Sequence, residues 1–435
     1  MEECPAPNLP DSVRHLLYTQ SEDLLAAVNY RNAGTVEFIY DQDSREFYFL
    51  EVNTRLQVEH GVTEAVWGVD LVAWMLMLAS GDLPELSELR KKLVPKGHAV
   101  QVRVYAEDPY RQFQPCAGLL SKVSFPQAEG LRIDHWLDSG IEVSPYFDPM
   151  LAKVIFHAPE RTAALKGVAA ALEETELYGI VSNRDYLRAL LNDPLLKEGL
   201  ITTRYLNDFT WEPRRIDVLQ AGTQTTIQDY PGRSGYWDVG VPPSGPFDNY
   251  SFRLVNRLLG NDDDAAGLEI TLQGPSLQFS EATDVVIGGA EIPATLLGGS
   301  AGQDGKTLSP WQVIHIEAGQ TLQLGRISAG ARAYLAVAGG VQCPEYLGSR
   351  STFTLGQFGG HSGRALRVGD VLGLNDAVAA PQNLPDQLKP EIGHEWNLRV
   401  IYGPHGAPDF FTDLDIEVFF AASWEVHYNL SLIHI

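Results

Sequence analysis

The strongest constraint on the fold is a change of texture at Ile216. Before it, apolar residues recur at helical spacing over long stretches. After it, glycine and proline are dense, apolar runs are short, and turn signals recur about every ten residues. One core cannot serve both patterns, and 435 residues are enough for two to four domains.

Residues 1–95 read as helix, hairpin, helix. "SVRHLLYTQSEDLLAAVNY" and "GVDLVAWMLMLASG" have helical spacing, the second ending at Gly81. Residues 97–212 read as an α+β module, with strands in "HAVQVRVYAED", "GLLSKVSFPQ" and "MLAKVIFHA" and a helix in "ERTAALKGVAAALEETEL". "WEPRR", residues 211–215, reads as a linker. Residues 216–429 read as an all-β sandwich or barrel with one helix, in "FDNYSFRLVNRLLGN". Asp248 fits its N-cap, Phe252, Val255, Leu258 and Leu259 its apolar stripe, and Gly260 its C′ position.

A formal net charge of −24 makes nucleic acid an improbable partner, because phosphate binding needs surplus Lys and Arg. Cys4, Cys116 and Cys343 are few, odd in number and far apart with no CxxC, which makes a disulfide framework or a zinc site improbable and fits a reducing compartment. The longest apolar run, "LVAWMLMLA", is half of the roughly 20 residues a membrane span needs. "MEECPAPNLP" is acidic and Pro-rich, unlike a signal peptide, so the expectation is a cytoplasmic protein with no membrane partner.

The densest chemistry lies in "EFYFLEVNTRLQVEH", residues 46–60. In an extended chain Glu51, Asn53, Arg55, Gln57 and Glu59 share one face, and Tyr48, Leu50 and Val52 the other. A hairpin symmetric about residue 44 sets Glu37 directly opposite Glu51. Like charges so placed are destabilising. A hard divalent cation would offset them, since Mg²⁺ favours a couple of carboxylates with nucleotide phosphates, and Asn53 could add a carbonyl. The plainer reading is a solvated sheet face, with Arg55 neutralising Glu51.

"AGTVEFIY…EFYFLEVNTRLQVEHGVTEAVWGVDLV", "GHAVQVRVYAEDP", "SPYFDPMLAKVIFHAPER" and "LYGIVSNRDYLRALL" closely resemble the biotin carboxylase module of biotin-dependent carboxylases, an ATP-grasp fold, up to about residue 212. The resemblance implies roles for matching residues. Glu37, Glu51 and Asn53 match ligands of Mg²⁺ or Mn²⁺. Arg55 matches the arginine that clamps bicarbonate, with Gln57 and the Val58 backbone nearby. Glu59 matches the base that deprotonates bicarbonate for attack on the ATP γ-phosphate. Arg103 matches the arginine that stabilises negative charge on the ureido oxygen of biotin; read from the residues alone, it is a strand arginine facing Glu107.

A nucleotide site needs backbone donors, usually from a Gly-rich loop, and residues 1–212 hold none. The family places that loop upstream of a "PAP" segment, here "ECPAPNLP". The expectation is therefore the last part of an ATP-grasp domain, with biotin on a carrier domain outside these residues.

"GTQTTIQDYPGRSGYWDVGVPPSGPFDNYSFRLVNRLLGN", "YLGSRSTFTLGQFGGHSGRALRVGD" and "YGPHGAPDFF" resemble the carboxyltransferase domain of the urea carboxylase family, related to allophanate hydrolase subunit 2 and KipA-like proteins. The implied fold is a cyclophilin-like β-barrel over 216–429, incomplete here, with 430–435 a non-native tail. The implied activity joins ATP, bicarbonate and urea into urea-1-carboxylate. Guanidine is an alternative acceptor, for which Glu291 could supply a carboxylate, and a non-catalytic KipA-like chain is an alternative of another class. Homo-oligomerisation is compatible with all three. In "PPSGPFDN", Ser244 and Asp248 sit at a helix N-terminus, where they could bind substrate or simply cap. In "GGHSG", His361 could contact substrate or solvent.

Overall fold

Short apolar elements pack onto one central strand in the first half. The computed structural model describes residues 1–298, 305–376, 380–383, 385–393, 395–401 and 403–425. The chain runs through β1 (Glu2–Cys4), α1 (Asp11–Ala27), the hairpin β2 (Thr35–Asp41) and β3 (Glu46–Asn53), α2 (His60–Trp67), α3 (Leu71–Ser80) and β4 (His98–Tyr105). The Asp70 side chain caps α3 by accepting from the Ala73 N–H at 2.8 Å. Gly81 ends that helix at φ 85°, a left-handed conformation that glycine adopts at little cost.

β1 and α2 are not among the elements expected from sequence. β1 has three residues, too few for a periodic signal; it is defined by its antiparallel pairing with β4, Glu2 opposite Gln101. α2 has eight residues and lays Val62 and Val66 against Ala99 and Ile155. It comes this close because residue 61 is glycine: a Cβ there would lie 2.5 Å from Ile155 Cδ1.

β4 pairs on its other side with Met150–Ala158, which pairs in turn with Leu131–His135, completing a four-stranded antiparallel sheet. The helix Arg161–Glu174 buries Ala164, Leu165, Val168, Ala171 and Leu172 against it. "GLLSKVSFPQ" is two short strands, Gly118–Leu119 and Lys122–Ser124, rather than one. The chain changes partner at fully buried Leu120: the Leu120 N–H donates to Ile141 O, and that of Ser121 to Tyr178 O.

From Arg215 onward the strands form two antiparallel sheets, of six and five strands. Their inner faces share one core that includes Ile216, Leu268, Leu277, Phe279, Ile287, Leu322 and Leu335. The helix Asn249–Leu258 packs Phe252, Val255 and Leu258 against Tyr334 and Val286.

Arg215 corrects the linker reading. It opens a strand, is 4% exposed, and donates to Asp108 at 2.9 Å and Asp217 at 3.2 Å. Its guanidinium lies 4.8 Å from the Tyr110 ring centroid, and Arg111 reaches Asp217 at 2.9 Å. A buried ion cluster thus ties the α+β part to the first strand of the β-rich part.

Residues 1–392 form one compact unit and 393–435 another. Within the second, the helix Asp413–Ala421 starts with a reciprocal capping box between Thr412 and Asp415. Residues 430–435, expected to be a non-native tail, lie outside the described residues. Among the described residues no single helix is long and apolar enough to cross a membrane; α2 and α3 together would be, but they meet at 92°.

Removing one partner of a buried ion pair strands the others without compensation, at a cost of about 3–5 kcal/mol. Arg215→Ala is expected to lower unfolding free energy by that order. Arg215→Met combined with Asp108→Asn and Asp217→Asn should lose much less. Urea unfolding of both variants checks this; equal losses would mean that the charges do not act as a unit.

Candidate functional site

The β2–β3 register sets Thr35 opposite Asn53, Val36 opposite Val52 and Glu37 opposite Glu51, the opposition expected from the sequence. Beyond Glu37 the register shifts, and Phe38 faces Phe49. This bulge at Leu50 changes the expected alternation. Phe49, two residues from Glu51, would otherwise share the carboxylate face. The shift turns it to the opposite face, where Phe47 and Phe49 make edge contacts with Phe38, at 5.6 and 6.2 Å between centroids. The polar face is kept for the opposed carboxylates.

The Asn53 amide lies between those carboxylates. Its Nδ2 donates to Glu37 Oε1 at 2.8 Å and to Glu51 Oε1 at 2.9 Å. Gln57 Nε2 adds a third donor, to Glu37 Oε1 at 2.8 Å. The expected five-residue strand face is not formed, because β3 ends at Asn53. Arg55 and Gln57 lie on irregular backbone and Glu59 is the N-cap residue of α2. Gln57 therefore reaches Glu37 by a turn of the chain, not by strand alternation. Arg55 is exposed and forms no ion pair among the described residues, so it does not neutralise Glu51.

The turn ends against β4. Gln101 Nε2 donates to the Val58 carbonyl at 3.4 Å, and Arg103 Nη2 to Glu59 Oε2 at 2.9 Å. The partners of Arg103 are Glu59 and Glu2, not Glu107; Glu2 Oε1 lies 2.6 Å from the same Nη2. Burial opposes the Arg103 charge, yet Tyr105, Glu2 and Glu59 together hold the guanidinium above its ordinary range. Gln57 Oε1, Gln101 Oε1 and Arg103 Nε are buried and make no hydrogen bond. Buried polar atoms of this kind call for a partner, and three of them line this short segment.

Sequence reasoning missed Glu2 and Gln101. Glu2 belongs to a strand too short to register. Gln101 is a fully buried amide in an otherwise apolar run, which was the available signal. Among the described residues, no group of three or more His, Cys, Asp or Glu side chains could hold a metal ion. Any cation on the hairpin would depend on two carboxylates and an amide.

The β-rich candidates are not brought together. Both Asp248 oxygens are used at its helix: Oδ1 accepts from the Tyr250 and Ser251 N–H groups at 3.1 Å, and Oδ2 from the Ser251 hydroxyl. Its own N–H donates to Tyr334 Oη at 2.7 Å, and Tyr334 donates to Glu269 at 3.1 Å. Burial raises the Glu269 carboxyl above its ordinary range, although the Phe247 N–H, Arg332 and Tyr334 oppose this. Ser244 lies in the same loop at φ 56°. His361 is not a solvent-facing imidazole; it is 14% exposed and its Nε2 lies 3.4 Å from Asp370. With Arg111, Cys116, Arg364 and Arg367 it lines a cleft of about 1060 Å³ that neither Ser244 nor Asp248 reaches. Glu291, the carboxylate considered for guanidine, is exposed at a strand end.

Three known families match successive parts of the chain. The carbamoyl-phosphate synthase L chain ATP-binding domain matches residues 1–88, the biotin carboxylase C-terminal domain 101–208, and the carboxyltransferase domain, subdomains A and B, 239–432. The urea amidolyase of Saccharomyces cerevisiae is 46% identical over 99% of the chain, and a putative urea carboxylase of Emericella nidulans 37% identical over 99%. The chain spans only 23% and 35% of those relatives. The crystal structure of the Kluyveromyces lactis urea carboxylase superposes with a TM-score of 0.91 at 44% identity, covering 99% of this chain and 38% of that one.

Two outcomes follow from the geometry. Asn53→Ala leaves Glu37 and Glu51 opposed without the shared amide. Hydrogen bonds to charged groups contribute about 1.5–3 kcal/mol when buried, so about 1–2 kcal/mol is expected at this half-exposed site. Adding Glu51→Gln should recover part of it, as read by chemical denaturation; no recovery would mean that the opposed charges do not repel. Asp370 is the pH case. Burial alone would raise its carboxyl, but Arg364, His361 and the Arg367 N–H hold it well below the usual range. Its contribution is therefore present above the ordinary Asp pKa and lost as pH falls through the depressed folded value. Asp370→Asn should lower the denaturation midpoint at pH 7 and weaken its fall on acidification below about pH 4.

Proposed function

We propose that this chain, homologous along 99% of its length to urea amidolyases and urea carboxylases, is a span of an ATP-driven, biotin-dependent ligase. That ligase takes carbon dioxide from bicarbonate to urea, giving urea-1-carboxylate. One observation carries the reading: the segment from Asn53 to Glu59 is held at both ends by polar contacts, Asn53 and Gln57 on the opposed Glu37 and Glu51, and the Val58 carbonyl and Glu59 on Gln101 and Arg103 of β4. The fold readings attached to it are a partial ATP-grasp domain for 1–95, the biotin carboxylase C-terminal fold for 97–212, and a cyclophilin-like barrel for 216–429. The two antiparallel sheets around one core support the last of these. Three unpaired cysteines support a reducing compartment such as the cytoplasm.

Glu37, Glu51 and Asn53 fit a hard cation, Mg²⁺ or Mn²⁺. A half turn of the Asn53 amide exchanges its donor for a carbonyl oxygen directed at the gap between the carboxylates. Such an ion, when bound, neutralises phosphate charge during transfer. Arg55, exposed and unpaired, is free to hold bicarbonate in a planar, two-point contact, beside Gln57 and the Val58 backbone. Glu59 takes the bicarbonate proton, and the resulting carbonate oxygen attacks the ATP γ-phosphate as ADP departs. Cleavage of the C–O bond of the carboxyphosphate so formed would release carbon dioxide and phosphate; biotin, when bound on its carrier domain, would supply the ureido nitrogen that takes up the carbon dioxide, its N–H proton passing to the phosphate. Arg103 offers a guanidinium to the ureido oxygen as negative charge develops there.

For the acceptor site, Ser244 is a candidate for direct contact. Asp248 shapes its loop, and His361 faces the separate cleft with Asp370. The test is ADP release by the full-length protein carrying these residues, with bicarbonate and free biotin, then with urea or guanidine added. Glu59→Gln should lower both biotin-dependent and urea-dependent release about 10²–10⁴-fold, because proton removal precedes either step. Unchanged turnover would remove Glu59 as the base, and stimulation by guanidine but not urea would change the acceptor.

A further inference from the structure

We propose that Glu2 is a positioning residue that holds Arg103 in place while Glu59 is protonated. The inference rests on the function proposed above and extends it to a residue outside the hairpin. Arg103 Nη2 is shared by Glu2 at 2.6 Å and Glu59 at 2.9 Å. The two carboxylates are not equivalent. Glu59 is 36% exposed and stands where α2 begins. Glu2 is 19% exposed, and its second oxygen accepts from Gln101 Nε2 at 3.0 Å. The β1–β4 ladder sets Glu2 directly opposite Gln101, so backbone register and side chain fix this carboxylate together.

The chemistry needs such an asymmetry. A base that accepts a proton becomes neutral, and a neutral partner holds a guanidinium about half as strongly as a charged one. With Glu59 as sole partner, Arg103 would loosen at the moment its position matters. Glu2 takes no part in the proton transfer and keeps its contacts with Arg103 and Gln101. Arg103 is then held through one Nη2 donor, and its Nε, buried and unbonded, remains available to a ligand.

A purely structural role for Glu2, docking β1, can be separated using its neighbour. Glu3 makes a two-point ion pair with Arg161, at 2.6 and 2.8 Å, and touches neither Arg103 nor Glu59. Glu3→Gln therefore weakens the docking of β1 without altering the hold on Arg103.

The experiment compares Glu2→Gln and Glu3→Gln in two readouts. The first is the rate of phenylglyoxal labelling at Arg103, followed by peptide mass spectrometry on the protein without substrates. It should rise severalfold in Glu2→Gln and stay at the wild-type rate in Glu3→Gln. The second is bicarbonate-dependent ADP release with free biotin by the full-length protein. In Glu2→Gln, kcat/KM for biotin should fall about 10–100-fold with KM for ATP unchanged, and Glu3→Gln should retain the wild-type ratio. The inference is overturned if Glu2→Gln matches wild type in labelling, or if Glu3→Gln reproduces its effects. Absence of biotin-dependent turnover in the wild-type protein would instead overturn the functional reading, and labelling would still decide the role of Glu2.

Discussion

Two carboxylates directly opposite each other on a hairpin are an arrangement that folding alone does not favour. Glu37 and Glu51 adopt it, and the surrounding structure compensates locally. Asn53 divides its amide between them, Gln57 returns to Glu37, and the strand bulges at Leu50 so that the aromatic side chains leave the polar face. The turn from Asn53 to Glu59 is held at one end by these amide contacts and at the other by β4. A site assembled in this way has its geometry set by charge compensation, which a cation could take over without rebuilding the backbone.

Much of this was legible in the sequence, for identifiable reasons. The opposition of Glu37 and Glu51 was expected from a hairpin symmetric about residue 44; the turn-side register, Asp41 opposite Glu46, would instead set Glu37 opposite Leu50, and the bulge at Leu50 restores the pair. The helix over Leu71–Ser80 and its end at Gly81 follow from apolar spacing and a glycine. The strand Met150–Ala158 matches its apolar run residue for residue. What failed was anything that depended on breaking a period. Strict alternation through Glu59 predicted one continuous face, but β3 stops at Asn53 and the bulge inverts the residues before Glu51. A bulge has no composition signature when no glycine marks it. Glu2 and α2 were illegible because three and eight residues carry too little periodicity, and tertiary pairing alone defines them.

The β-rich half shows the converse: buried polarity that sequence reasoning passed over as turn chemistry. Asp229 accepts from the Ser349 and Ser351 hydroxyls, both at 2.6 Å, and from the Arg350 N–H at 2.7 Å. Arg233, fully buried, donates to the Tyr346 and Ser351 carbonyls at 2.9 Å and stacks 4.9 Å from the Phe358 ring centroid. Burial pulls its guanidinium below the ordinary range despite the pull of Asp229. "YLGSRSTFTLGQFGG" is thus a loop folded around the buried side chains of Asp229 and Arg233. Its glycines serve that packing: at Gly359 a Cβ would lie 2.8 Å from Arg233 Nη2.

The same logic bears on how the two halves work together. The passage from the α+β part to the β-rich part was expected to be a linker, and the structure places a deeply buried ion cluster there. Bending the chain at Arg215 would part it from Asp108 and part Asp217 from Arg111, both partners belonging to the first half. Stranded buried charges are costly enough to oppose such a motion. Both halves also belong to one compact unit, residues 1–392. If bicarbonate is activated beside β4 and the acceptor is met in the β-rich half, closing one half on the other is a poor route between them.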